Sequence, residues 1–176
     1  MADPRRAEKI LDSETGNAFY RRMSRSSLPL PLAFCILLGG CATTGVQPVN
    51  PQVVAKISSI PKTMAMVVIY RESNFYGSAL RPTVVLNGND LVNVGNGRVF
   101  VSAIPPGHYV FEMDDRKSGT EVDLKPGQAV YMKVELVQGF WKGGGRLLQV
   151  APEQGAFEAK RLDPVDSREI ENPAFR

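Results

Sequence analysis

The chain has a single histidine, His108, among its 176 residues, so most nucleophilic mechanisms would have to pass through it. Such chemistry needs a base beside a nucleophile, with a third group orienting the base. No Gly-x-Ser-x-Gly elbow occurs, and His108 reads as a solvent-facing residue at the start of a strand. Glu112, Asp114 and Asp115 offer hard oxygen ligands for calcium. No Asp-x-Asp-x-Asp-Gly loop surrounds them, so they read as a solvated turn. Hydrolysis or transfer on glycans needs two carboxyl groups facing one cleft. Glu112 with Glu121 or Glu135 is the pair on offer, although strand alternation points all three at water. Gly143-Gly144-Gly145 follows Lys142 but is not continued by Gly-Lys-Ser/Thr, so it reads as a hairpin loop rather than a phosphate cradle.

The two cysteines carry a clearer chemistry. Cys41 closes Leu38-Gly39-Gly40-Cys41, at the end of an apolar run over residues 28–38. A helix needs about 20 apolar residues to span hydrocarbon, and this run is shorter and holds Pro29 and Pro31. The stretch resembles a bacterial lipoprotein signal peptide. That resemblance implies cleavage between Gly40 and Cys41 once the thiol carries a diacylglyceryl group. Cys35 follows the bulky Phe34 and would leave with the signal. The remaining cysteine is consumed by lipid, so neither an internal disulfide nor a His/Cys zinc set is expected, and no other cofactor is.

Met23-Ser24-Arg25-Ser26-Ser27 suits the short basic start of such a signal, which makes residues 1–22 a non-native or disordered extension. Arg21-Arg22 lacks the hydrophobic and lysine positions of a twin-arginine signal. From Cys41 onward the chain holds 15 Lys+Arg and 14 Asp+Glu, a net of +1 against +3 for the whole. Such a balance has no footprint for nucleic acid.

The elements that must position any site follow from patterning. Residues 41–63, with Pro48, Pro51 and Pro61, read as a flexible tether, although Val53, Val54, Ile57 and Ile60 share a helical face that could dock on the domain. Residues 64–70 form a near-continuous apolar run, as expected of a strand buried on both faces. Strands are expected over 83–86, 91–94, 98–104, 108–113, 120–124, 129–137 and 146–150. Asn87-Gly88 marks a hairpin, and Lys125-Pro126-Gly127-Gln128 a type II turn. Residues 152–162 have room for one short helix, and 163–176 read as a polar tail. No helix is long enough for a crossover, so the expectation is an all-β fold: one antiparallel β-sandwich of about eight short strands over 64–162, with an open barrel second.

Tyr70-Arg71 at the end of the first strand, Ile104-Pro105-Pro106-Gly107-His108-Tyr109, and Leu124-Lys125-Pro126-Gly127-Gln128 leading into Tyr131 complete a pattern with the lipobox. The pattern resembles a family of small bacterial lipoproteins catalogued as a domain of unknown function. Over residues 64–162 it implies a compact β-rich domain on a lipid anchor, with no established chemistry. The turn is also similar to those of transthyretin-like sandwiches, a likeness of fold alone. The function expected is that of a non-enzymatic module in the cell envelope, contacting another envelope protein or polysaccharide. A glycan-acting hydrolase or transferase is the alternative. Ala42, where an aspartate would retain a lipoprotein on the inner membrane of enteric-type bacteria, favours the outer membrane.

Phe140 and Trp141, beside the glycines, are the expected contact residues, since aromatic side chains on loops offer large areas with few rotatable bonds. Alternation beyond Leu136 runs into Gly139 and leaves the direction of Trp141 open. Trp141→Ala separates the two cases in one denaturation curve. An exposed anchor leaves stability unchanged and weakens capture by about 1–3 kcal/mol, whereas a core cap costs about 3–5 kcal/mol of folding stability.

Overall fold

A computed structural model describes residues 47–137 and 145–176. Its elements are α1 (Pro51–Ser58), β1 (Ala65–Arg71), β2 (Thr83–Leu86), β3 (Asn89–Asn93), β4 (Arg98–Ile104), β5 (Gly107–Met113), β6 (Gly119–Leu124), β7 (Ala129–Leu136), β8 (Gly145–Val150), α2 (Pro152–Ala159) and β9 (Asp163–Pro164). Two short 3-10 turns, Ser167–Glu169 and Pro173–Phe175, follow. No helix among the described residues is long and apolar enough to cross a membrane.

The strands form two sheets, ordered β8-β7-β1-β4-β9 and β3-β2-β5-β6. Their inward residues share one core. Val67 and Ile69 of β1, Phe100 of β4 and Met132 of β7 meet Val84, Leu91, Phe111 and Met113 of the second sheet. Turn chemistry sets the connections. Asn87 and Gly88 both have positive φ, as a two-residue hairpin turn of the twist-matching kind requires. Gly127 lies at φ 71° in the turn closed by the Gln128 amide donating to the Lys125 carbonyl at 3.1 Å.

The expectation of an antiparallel sandwich holds only in its coarser, β-rich and two-sheet form. β1 pairs antiparallel with β4 but parallel with β7, in the register Val67↔Val130 and Ile69↔Met132. β9 likewise runs parallel to β4. A parallel pair needs a long crossover, and the sequence has no helix to make it. Here the chain crosses into the second sheet and returns twice before β7 takes its place beside β1. A second sheet thus does the work of a crossover helix.

Both ends of the domain differ from expectation. Residues 51–58, placed in the tether, form α1. Pro51, read as a breaker, occupies the first helical turn, where its missing N–H costs nothing, and Asn50 caps the helix through its side chain to the Gln52 amide at 3.0 Å. Val53 is buried, and with Ile57 it packs against Val99 and Val101 on the outer face of the five-stranded sheet. The polar tail docks too. Ile170 enters the main core and bridges to Val92, while Glu169 pairs with Arg81 at 2.6 Å. Ile170 is a lone apolar residue in a charged stretch, without the periodicity that would announce a buried segment.

α2 lies over β7 and β1, and the approach is close. A Cβ on Gly155 would overlap Cβ and Cγ of Tyr131. Gly155→Ala should therefore lower stability by about 1–3 kcal/mol, overpacking outweighing the better helix propensity of alanine. Urea denaturation checks the sign, and a stabilised variant would refute this packing.

Candidate functional site

The apolar run of β1 ends in Arg71, and that residue organises the loop that follows. Its guanidinium is buried, and donates to the carbonyl oxygens of Leu80 at 2.6 Å and Gly77 at 2.7 Å. Burial lowers its pKa from the usual arginine value, but arginine stays charged in proteins, so the cation acts as a permanent clamp on two backbone acceptors. Asn74 contributes at the other side of the loop. Its amide donates to Asn96 Oδ1 at 2.9 Å, and its own Oδ1 accepts the Tyr76 amide at 3.0 Å. Gly77, at φ 68°, has Leu136 Cδ1 where a side chain would start.

With its backbone bound inward, the loop turns its side chains out. Phe75 is 99% exposed, Tyr76 is 52% exposed, and Leu80 is exposed as well. Residues 73–80 read Ser-Asn-Phe-Tyr-Gly-Ser-Ala-Leu, without a charge, in a chain whose residues are 22% charged. A cleft of about 360 Å³ runs beside the loop, lined by Arg71, Glu72, Asn74, Tyr76, Lys133 and Glu135 among others.

At the wall of this cleft sits an ionic network. Lys133 Nζ contacts Glu72 and lies 3.2 Å from Glu158 Oε2. The same Glu158 oxygen accepts the Tyr70 hydroxyl at 2.6 Å, and Gln154 donates to the other at 2.9 Å. For Lys133, burial opposes the charge but the hydrogen bonds to Glu72 and Glu158 outweigh it and raise the pKa. For Glu158, burial likewise opposes ionisation, and donation from Tyr70, Gln154 and Lys133 brings the carboxyl below its usual range. Burial and the neighbouring Glu158 hold Tyr70 neutral far into alkaline pH. Each proton is held where it is at neutral pH, so the network ties α2 to β1 and β7 and is poorly poised for proton transfer. Strand alternation puts Lys133 on the same outward face as the exposed Glu135, yet Lys133 is half-buried because α2 covers this face.

The other candidates are dispersed. His108 stands exposed on the second sheet, with Nδ1 2.8 Å from Asp123 Oδ1 and Nε2 3.8 Å from Glu121 Oε2, so its neighbours are carboxylates. Glu112 pairs with Gly119 and Glu121 with Val110 on the outer face of that sheet. Glu135 belongs to the other sheet, opposite Arg146, with the shared core between it and Glu112. Asp114, raised by burial, lies in the turn with Asp115. No group of three or more His, Cys, Asp or Glu able to hold a metal ion occurs among the described residues. Gly40, Cys41, Phe140 and Trp141 lie outside the described residues. Sequence reasoning missed Phe75-Tyr76, although two aromatics between the turn formers Asn74 and Gly77 were a readable signal. Comparison with family models, curated proteins and solved structures finds no match.

The network has a pH signature. Glu158 has a depressed pKa in the folded state, so it contributes stability above its unfolded value, near 4.5, that is lost as pH falls through the folded value. Lys133 is raised, so its contribution is complete below its unfolded value and fades only as alkaline pH passes the folded one. Glu158→Gln should therefore be less stable than the parent at pH 7, with the gap closing below about pH 4. Paired thermal melts across acid pH check this, and a gap independent of pH would refute it.

Proposed function

We propose that the chain is a lipid-anchored cell-envelope protein whose β-rich domain works as a contact module rather than as an enzyme. The observation that carries the contact role is the loop of residues 72–82. A buried cation fixes its backbone and holds Phe75 almost wholly in solvent. Exposed apolar residues scattered singly need no explanation, but an uncharged stretch presenting Phe75, Tyr76 and Leu80 together fits a recognition surface. The two sheets are read as the halves of one β-sandwich, modified by the parallel place of β7 and by the helices over its outer face.

The anchor is assigned to Cys41 from the lipobox-like Leu38-Gly39-Gly40-Cys41. Each buried methylene contributes about 0.8 kcal/mol, so two acyl chains hold a protein stably where one alone is marginal. Ala42 favours the outer membrane as the destination. Against the glycan-hydrolase alternative, Glu112 and Glu135 stand on different sheets, and Glu112 and Glu121 lie on an outward sheet face.

Expression in a Gram-negative host with labelled palmitate tests this reading. The parent should carry the label, fractionate with envelope membranes and begin at Cys41 by mass spectrometry. Cys41→Ser should accumulate as an uncut precursor or a soluble product. A Cys41→Ser protein that still carries palmitate would overturn the assignment.

A further inference from the structure

The proposed contact loop and the entry of the N-terminal chain lie at one end of the domain. The Asn50 amide donates to the Lys160 carbonyl at 2.7 Å, and its side-chain amide to Asp163 Oδ1 at 3.0 Å. The Asp163 amide in turn donates to the Gly97 carbonyl at 3.2 Å. The neighbouring Asn96 accepts the Asn74 amide at 2.9 Å, inside the aromatic loop. Three hydrogen bonds therefore carry one from the chain entry to the loop. The Asn87-Gly88 and Lys125–Gln128 turns close the strands at the opposite end.

From Asn50 back to Cys41 is nine residue steps. At full extension a chain of that length reaches about 30 Å. Strands of seven or eight residues put the far end roughly 25 Å beyond the near one. The Phe75 end is thus the nearer to a lipid on Cys41, and the far end comes within reach only of a chain drawn almost straight. We propose that this end is a membrane-docking face, with Phe75 and Tyr76 seated among the headgroups of the bilayer that holds the anchor. The inference rests on the lipid-anchor reading above.

The chemistry of the loop fits the interface. Aromatic side chains concentrate at headgroup depth, where an apolar ring and a polar tip are both accommodated, and Tyr76 has that form. Residues 73–80 carry no charge, so the ring of Phe75 can sink below the headgroups without drawing an ionised neighbour towards hydrocarbon. Backbone groups that are already paired lose less on leaving water. Arg71 occupies the carbonyls of Gly77 and Leu80, and the Leu80 amide donates back to Gly77 at 2.9 Å. The tether supplies a high local concentration, so a small insertion is enough to orient the domain.

The test uses the mature lipoprotein in vesicles of phosphatidylethanolamine and phosphatidylglycerol. Once Cys41 carries lipid, an introduced cysteine is the sole free thiol, since Cys35 precedes the cleavage point. Nitroxide labels are placed at Ser78→Cys in the loop and at Lys125→Cys at the far end, both exposed positions. Flotation and the mass of the N-terminus report the anchor separately. On vesicles, the label at 78 should gain oxygen collisions and lose collisions with an aqueous nickel chelate, each severalfold, while the label at 125 stays aqueous. Adding Phe75→Ser, which removes a solvent-exposed ring, should return the label at 78 to water while flotation persists. A floating protein whose label at 78 remains aqueous overturns docking and leaves the anchor standing. A protein without lipid that stays in solution overturns the anchor and the docking with it. Protection that vanishes on dilution into excess lipid identifies a second copy as the occupant, and equally overturns the proposal.

Discussion

A strand that must be dry on both faces constrains everything else in this domain. Val67, Val68, Ile69 and Tyr70 are all fully buried, and neighbouring residues in a strand point in opposite directions. Covering them takes two separate layers. The second sheet supplies one, through Phe111, Met113 and Val84, and the helices supply the other, through Val53 and Ala159. Its hydrogen-bonding edges must be covered as well, by β4 on one side and β7 on the other. The close seat of α2, the docking of α1 and the buried Arg71 at the strand end are consequences of enclosing one seven-residue segment completely.

Much of this was legible in the residues. Alternation and turn chemistry placed all eight longer strands, because a period of two and a glycine at positive φ are local facts. The run over 64–70 announced its double burial by having no polar face. Pairing is a different matter, since parallel and antiparallel neighbours have the same periodicity, and nothing in residues 129–136 names 65–71 as partner. The N-terminal helix was legible only as an alternative to the tether, through the shared face of Val53, Val54, Ile57 and Ile60, and the tail not at all. The tail's apolar residues, Val165, Ile170 and Phe175, are too few and too scattered to mark a segment until the surface that receives it is known.

The candidate site was less legible than the fold. Phe75-Tyr76 carried a signal, but its meaning depends on Arg71, and an arginine after an apolar run reads as a strand's exit to water. Here it turns inward and spends its charge on two carbonyls. Lys133 was likewise placed in solvent by alternation, correct for a two-layer domain and altered by the third layer. Arg71 finds its acceptors six and nine residues further on, whereas Lys133 meets Glu72 and Glu158 from distant parts of the chain.

The parallel seat of β7 has a bearing on biogenesis. β1 emerges early, yet one of its edges has no neighbour until residues 129–136 have been made, and β9, which covers the edge of β4, is later still. A strand as apolar as β1 with an open edge is a template for unwanted pairing. Contacts of such long sequence separation also form slowly. The five-stranded sheet therefore closes only when nearly the whole domain is present, which makes this a chain that cannot fold piecemeal. A protein built this way is suited to being held extended until its C-terminal third is available, and exposed to aggregation if it is released before then.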